Sequence, residues 1–188
     1  MGEDIIVLIG KMAVGKSIIE RELAKKGFSR AISYTTRKPR LGEKDGVDYF
    51  FVSNKEFDEK FEKGEIFERT LYEGEEIKQY GLGKESFKKE TNNVCVVNVD
   101  GLISLNKNKS LKNKIKVFYI VSDDETRLKR IKERDQKTLE NPEIKARFSR
   151  DKIDFDERMP NIKLKFPITK IKNNEEVSTV IKKILDSK

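Results

Sequence analysis

Five consecutive apolar residues, Ile5 to Ile9, run straight into Gly10-Lys11-Met12-Ala13-Val14-Gly15-Lys16-Ser17, and this junction constrains the fold more than any other stretch. A short β-branched run closed by glycine reads as a strand buried on both faces, as in parallel sheets. From Lys16 to Lys26, the residues Ile18, Ile19, Leu23 and Ala24 recur at helical spacing, and Gly27 supplies a stop. The octet matches G-x-x-x-x-G-K-[ST], a phosphate-binding loop. Gly10 and Gly15 let the backbone curl so that N–H groups along the loop point inward, and the helix adds the positive end of its dipole. Lys16 then reaches the terminal phosphates of a nucleotide, and the Ser17 hydroxyl is a ligand for Mg²⁺. The plainer alternative is a glycine-rich turn that binds nothing.

Further apolar runs lie at Ala31-Ile32, Val94 to Val97, Val117 to Val121 and Phe166 to Ile171, with helical patterns over 85–91, 124–134 and 175–185. Strands alternating with helices predict βαβ units and an α/β fold. The stretch from Ser33 to Tyr80 breaks the rhythm and reads as an insertion, with a hairpin expected around Gly74. The polar stretch from Arg130 to Arg150 is a second candidate insertion. Asn106-Lys107-Asn108-Lys109 ends in lysine where a GTPase base-reading element needs a carboxylate. Small-molecule kinases therefore come forward.

Composition excludes several chemistries. The 188 residues contain no histidine, which removes His-based acid–base catalysis and most zinc sites. One cysteine, Cys95, forbids an internal disulfide and suits a reducing compartment. Any metal is then a hard, oxygen-liganded ion such as Mg²⁺. The formal charge of +8 is spread along the chain without an aromatic-interleaved basic stripe, which argues against nucleic acid. No apolar run is long enough for a membrane span, and Met1-Gly2-Glu3-Asp4 lacks the basic start of a secretion signal. The expectation is a cytoplasmic protein, monomer or homodimer.

The most distinctive segment is Ser33-Tyr34-Thr35-Thr36-Arg37-Lys38-Pro39-Arg40-Leu41-Gly42-Glu43, followed by Gly46-Val47-Asp48-Tyr49. Two guanidinium groups three residues apart can clamp one phosphate through bidentate hydrogen bonds, and the tyrosine adds a donor. Read from the residues alone, an exposed basic loop is equally open. The segment resembles the guanylate kinase family, whose pattern S-x-T-T-R-x-P-R-x-G-E-x-x-G-x-D-Y it meets at every defined position. The resemblance implies an α/β fold: a P-loop parallel-sheet core flanked by helices over 1–32, 90–125 and 153–188. It also implies an inserted mixed α/β acceptor subdomain over 33–89 that binds GMP, and a small helical lid over 126–152.

Roles follow from the same resemblance. Arg37, Arg40, Tyr49 and Tyr80 clamp the acceptor phosphate. Ser33 and Glu68 read guanine, and Asp100, which ends the apolar run Val94 to Val99 and is expected at the carboxyl end of a strand, lies near the acceptor nucleotide and Mg²⁺. A carboxylate suits guanine because N1–H and the N2 amine are adjacent donors. Arg130, Arg134 and Arg147 are lid arginines; Lys16, Arg134 and Arg147 stabilise the transferring phosphoryl group, while Arg130 and Asn173 border ATP. The implied activity is ATP-dependent phosphoryl transfer to GMP or dGMP with Mg²⁺ and no general base.

The match has departures. Leu82 stands where the family has Ser or Thr donating to guanine O6, and Gly101-Leu102-Ile103 follows Asp100 where the family has a glutamine before its glycine. A different or broader base preference is therefore an alternative, and Leu82→Ser or Leu82→Thr is expected to sharpen guanine preference. A non-catalytic phosphopeptide-binding relative is a third reading, opposed by the intact Gly15-Lys16-Ser17.

Overall fold

A computed structural model describes residues 4–39, 42–72, 77–107, 115–136, 138–174 and 176–187. Strand β1 (Ile5–Ile9) is the centre of a parallel sheet ordered β2-β7-β1-β8-β9, with β2 (Ser29–Arg30), β7 (Asn93–Val96), β8 (Ile115–Val121) and β9 (Ile168–Lys172). Its side chains alternate between two cores. Ile5, Val7 and Ile9 join one cluster, and Ile6 and Leu8 join the other, so both faces are dry. This is why β1 carries no polar residue.

On the Ile6/Leu8 face lie α1 (Lys16–Lys25) and α6 (Val177–Asp186), through Ile19, Leu23, Val180, Ile181 and Ile184. The opposite face is covered by α3 (Val99–Lys107), with Phe155 and Met159 from the π-helical turn Ile153–Arg158 and the 3₁₀ turn after it. Helix α4 (Asp124–Asp135) starts where Asp123 accepts from the Thr126 N–H at 2.7 Å. Helix α5 (Pro142–Lys152) starts at Asn141 with proline at its first position and runs directly into the π-helical turn.

Residues 34–81 build a separate sheet ordered β4-β3-β6-β5, from β3 (Tyr34–Thr35), β4 (Phe50–Phe51), β5 (Thr70–Tyr72) and β6 (Lys78–Gly81). Strand β4 pairs with β3 in parallel; β6 runs antiparallel to both β3 and β5. Tyr34 and Ile66, with Phe57 of α2 (Asn54–Glu62), form its own small core against Phe50 and Val52. The β5–β6 pairing agrees with the expected hairpin; its turn at Gly74 lies outside the described residues.

Three expectations shift. The strand expected at Ala31-Ile32 lies two residues earlier, at β2. The helix expected over 85–91 is only a 3₁₀ turn, Lys84–Ser86. Past it Glu90 is left-handed (φ 63°), and Asn93 bonds both the N–H and C=O of Lys88, folding the chain back into β7. Asp100, expected at a strand end, lies in the first turn of α3, where Asn98 caps instead by accepting from the Gly101 N–H at 2.8 Å.

Candidate active site

The loop between β1 and α1 is a tight cradle. A Cβ on Gly10 would meet the Ile120 carbonyl at 2.2 Å, and one on Gly15 would meet Asn173 Nδ2 at 2.4 Å. Both glycines are therefore required by close approach as well as by positive φ, 155° and 97°. Lys16 Nζ donates to the carbonyls of Gly10 at 2.6 Å and Lys11 at 2.8 Å. Removal from water is the chief cause that lowers its pKa to about 8, aided by Arg127 and Arg134 and opposed by Asp151. Ser17 is exposed at the start of α1.

Arg130 and Asn173 close the other side of the loop. Asn173 Nδ2 donates to the Val14 carbonyl at 2.7 Å, and Arg130 donates to the carbonyls of Asn173 at 2.9 Å and Ala13 at 3.4 Å. Asn173 Oδ1 is buried without a hydrogen-bond partner among the described residues. Arg147 reaches Met12 Sδ at 3.9 Å and pairs with Glu143 at 3.4 Å. Arg134 is exposed, close enough to act on Lys16.

The sequence reading missed Arg127 and Asp151. Arg127 is 1% exposed. It donates to the Met12 carbonyl at 2.8 Å and to Asp151, and it lies over the Phe148 ring at 4.2 Å. Asp151 accepts from the Met12 N–H at 2.8 Å. The pair thus grips both polar groups of residue 12 and joins α4 and α5 to the cradle. Burial holds the Asp151 carboxyl above its ordinary pKa despite these donors. The available signal was spacing: residues 127, 130 and 134 share a face of α4, so Arg127 points where Arg130 points.

A second group gathers on the smaller sheet. Arg37 donates to the Tyr80 hydroxyl at 3.2 Å and to Glu43 at 2.9 Å, with its guanidinium 5.3 Å from the centre of the Tyr49 ring. The Tyr49 and Tyr80 rings meet edge to face at 6.0 Å. Arg40, expected beside them, lies outside the described residues. Ser33 stands just before β3, partly buried.

Glu68 is 6% exposed; its Oε1 accepts from the Thr70 hydroxyl at 2.7 Å and its Oε2 from the Leu82 N–H at 3.1 Å. Burial raises its pKa to about 7 against those two hydrogen bonds, with Asp100 adding to the rise. Leu82 is 1% exposed and packed in the main core, so its side chain is not presented to a ligand. Its backbone, rather than its side chain, serves this site. Asp100 is held by Arg158 at 2.5 Å and Arg150 at 3.5 Å, and both arginines also pair with Asp154.

For a metal, the donor set is sparse and hard. Among the described residues no three His, Cys, Asp or Glu side chains cluster to hold an ion. One exposed hydroxyl at a helix start fits Mg²⁺, which takes few protein ligands and completes its shell with phosphate oxygens and water.

Comparison with known proteins bears on this geometry. The family model described as guanylate kinase matches residues 2–174. A guanylate kinase of Mycoplasma mycoides subsp. mycoides SC is 32% identical over 189 residues, covering 96% of this chain and 59% of its own length. One of Malacoplasma penetrans is 34% identical over 158 residues, covering 80% of this chain and 78% of its own. The chain thus spans about three fifths of the Mycoplasma mycoides relative. The crystal structure of guanylate kinase from Anaplasma phagocytophilum superposes with a TM-score of 0.68 at 21% identity, over 98% of this chain and 83% of that one, showing a shared fold.

Proposed function

Because the chain belongs to the guanylate kinase family, we propose that it transfers the γ-phosphoryl group of ATP to GMP or dGMP. A phosphate oxygen of the acceptor forms the new bond to Pγ, the bond from Pγ to the bridging oxygen of ADP breaks, and ADP leaves with that electron pair. The acceptor oxygen is already anionic, so no general base is called for, in keeping with a chain that has no histidine.

The observation that carries the reading is the pairing of two anion sites. One is the Lys16 cradle; the other is Arg37 with Tyr49 and Tyr80. Arg40 belongs to the second site by its place in the motif. Lys16, Arg134 and Arg147 offset charge on the moving phosphoryl group, and Arg130 with Asn173 fixes the loop that borders ATP. Ser17 would hold Mg²⁺, which when bound neutralises charge on the phosphate oxygens. Glu68 accepts from guanine N1–H and N2–H, Ser33 reads the base with it, and Asp100, paired with Arg158, lies near the acceptor nucleotide. In this scheme 33–89 is the acceptor unit, 126–152 the lid, and the rest the core.

The test is a panel of nucleoside and deoxynucleoside monophosphates with MgATP. Turnover of GMP or dGMP well above the others is expected, and Lys16→Ala should abolish both turnover and MgATP binding. Turnover of another acceptor with none of GMP or dGMP would overturn the assignment. MgATP binding indifferent to Lys16→Ala would overturn the cradle.

A further inference from the structure

Glu68 sits at the end of a short chain of hydrogen bonds whose direction is fixed. Asn98 Nδ2 donates to Thr70 Oγ1 at 2.8 Å, and the Thr70 hydroxyl donates to Glu68 Oε1 at 2.7 Å. An amide nitrogen only donates, so the Thr70 oxygen must accept from Asn98, and its single proton is left for Glu68. The amide cannot turn over, because Asn98 Oδ1 accepts from the Gly101 N–H at 2.8 Å. Exchanging O and N would set the amide N–H against the Gly101 N–H, donor to donor, and the amide oxygen against the Thr70 oxygen, acceptor to acceptor. Thr70 is 7% exposed, on β5 of the smaller sheet, while Asn98 leads into α3 of the core. Gly101 permits the approach, since a Cβ there would stand 3.3 Å from Glu68 Cδ and 2.9 Å from Val97 Cβ.

We propose that Thr70 and Asn98 are positioning residues for nucleobase selection, their one-way relay holding the Glu68 carboxyl as a pure acceptor aimed at a purine with two adjacent N–H donors. The inference rests on Glu68 being the base reader. A neutral carboxyl carries an O–H, which would face guanine N1–H donor to donor. Burial favours that neutral form, and each donated hydrogen bond favours the charged one. The relay and the Leu82 N–H fill one site on each oxygen, leaving a free lone pair on each for the base. The charged group opposing them is Asp100 on α3, itself drawn off by Arg158 and Arg150. The Cys95 thiol on β7, whose pKa burial raises, stays neutral.

The experiment uses the full chain with Thr70→Val, Thr70→Ser and Asn98→Asp. Valine keeps the shape without the proton; serine keeps the proton; aspartate only accepts, and draws the Thr70 proton away from Glu68. The Glu68 carboxyl is titrated by carbon-detected NMR in the free protein, and KM for GMP and for MgATP is measured against pH. Thr70→Val and Asn98→Asp should raise the Glu68 midpoint by about half a unit or more, displace the KM(GMP) profile equally, and raise KM(GMP) about twofold or more at pH 7. KM(MgATP) should not move, and Thr70→Ser should restore the parent values. A Thr70→Val midpoint equal to the parent's overturns the relay. So does a raised KM(GMP) with no displacement along pH, the mark of packing alone. If the parent does not phosphorylate GMP, the functional reading fails by itself, and the carboxyl titration still decides the relay.

Discussion

Glu68 concentrates the chemistry that single residues contribute, because its charge state is set by burial more than by sequence neighbours. Its folded pKa of about 7 lies above the ordinary 4.5, so between those values the folded chain binds more protons than the unfolded one. Stability from this group therefore falls as pH rises from 4.5 to 7 and is level above. Guanine needs the charged form, so GMP affinity should run the opposite way. We expect KM(GMP) at pH 6 to be about tenfold its value at pH 8. Glu68→Gln should remove that step and leave only the titration of the GMP phosphate; an unchanged profile in Glu68→Gln would assign the step elsewhere. Leu82 makes a different prediction from the one its sequence position suggests. Its side chain is buried among Val97, Leu102 and Phe155, so Leu82→Ser should cost about 2–5 kcal/mol in urea unfolding with GMP-over-AMP selectivity unchanged. Sharpened selectivity in that variant would mean that residue 82 does reach the base. Lys16, Arg37 and Tyr49 stand out in the sequence because each sits in a pattern of fixed spacing, whereas Glu68 is marked only through the family resemblance. Thr70 and Asn98 do not stand out: they lie 28 residues apart and meet only because two sheets abut.

Elements were legible where burial imposes a period. β1, β8, α1, α4 and α6 follow apolar patterns, and their boundaries agree with the patterns to within two residues. Helices α2 and α5 hid because each buries a single side chain, Phe57 and Ile144, beneath a highly charged surface. Between α4 and α5 the Arg127–Asp151 pair performs the joining that an apolar seam would otherwise supply. Arg127 was read past because an arginine on an amphipathic helix normally reaches solvent. Removing one partner of a buried pair strands the other, so Asp151→Ala should lower unfolding free energy by about 3–5 kcal/mol. Replacing both, as Arg127→Met with Asp151→Leu, should recover most of that loss. Additive losses in the double variant would mean that the two residues do not act as a pair.

At the scale of the molecule the proposed reaction requires holding two polyanions together and keeping water out. The two proposed anion sites belong to different sheets: Lys16 to the parallel sheet, Arg37 with Tyr49 and Tyr80 to the smaller sheet with its separate core. Arg134 and Arg147 extend from helices rooted at the cradle through Arg127 and Asp151, while the outer tip around Leu139 stays exposed. A fold with one rigid pocket would need no such division; a fold that closes over two substrates does. Closure, on the proposed function, requires that the proposed acceptor unit and the tip between α4 and α5 approach each other only when both ligands are present. The chain lends itself to measuring this, because Cys95 is fully buried and its thiol pKa is raised by burial, so it resists labelling. Cysteines introduced at the exposed positions Phe61 on α2 and Leu139 between α4 and α5 take spin labels selectively. The distance between them should shorten by several ångströms with GMP and a non-hydrolysable ATP analogue together, and by less with either alone. A distribution that ignores both ligands would mean that the sites are already apposed in the free chain, and that water is excluded by something other than closure.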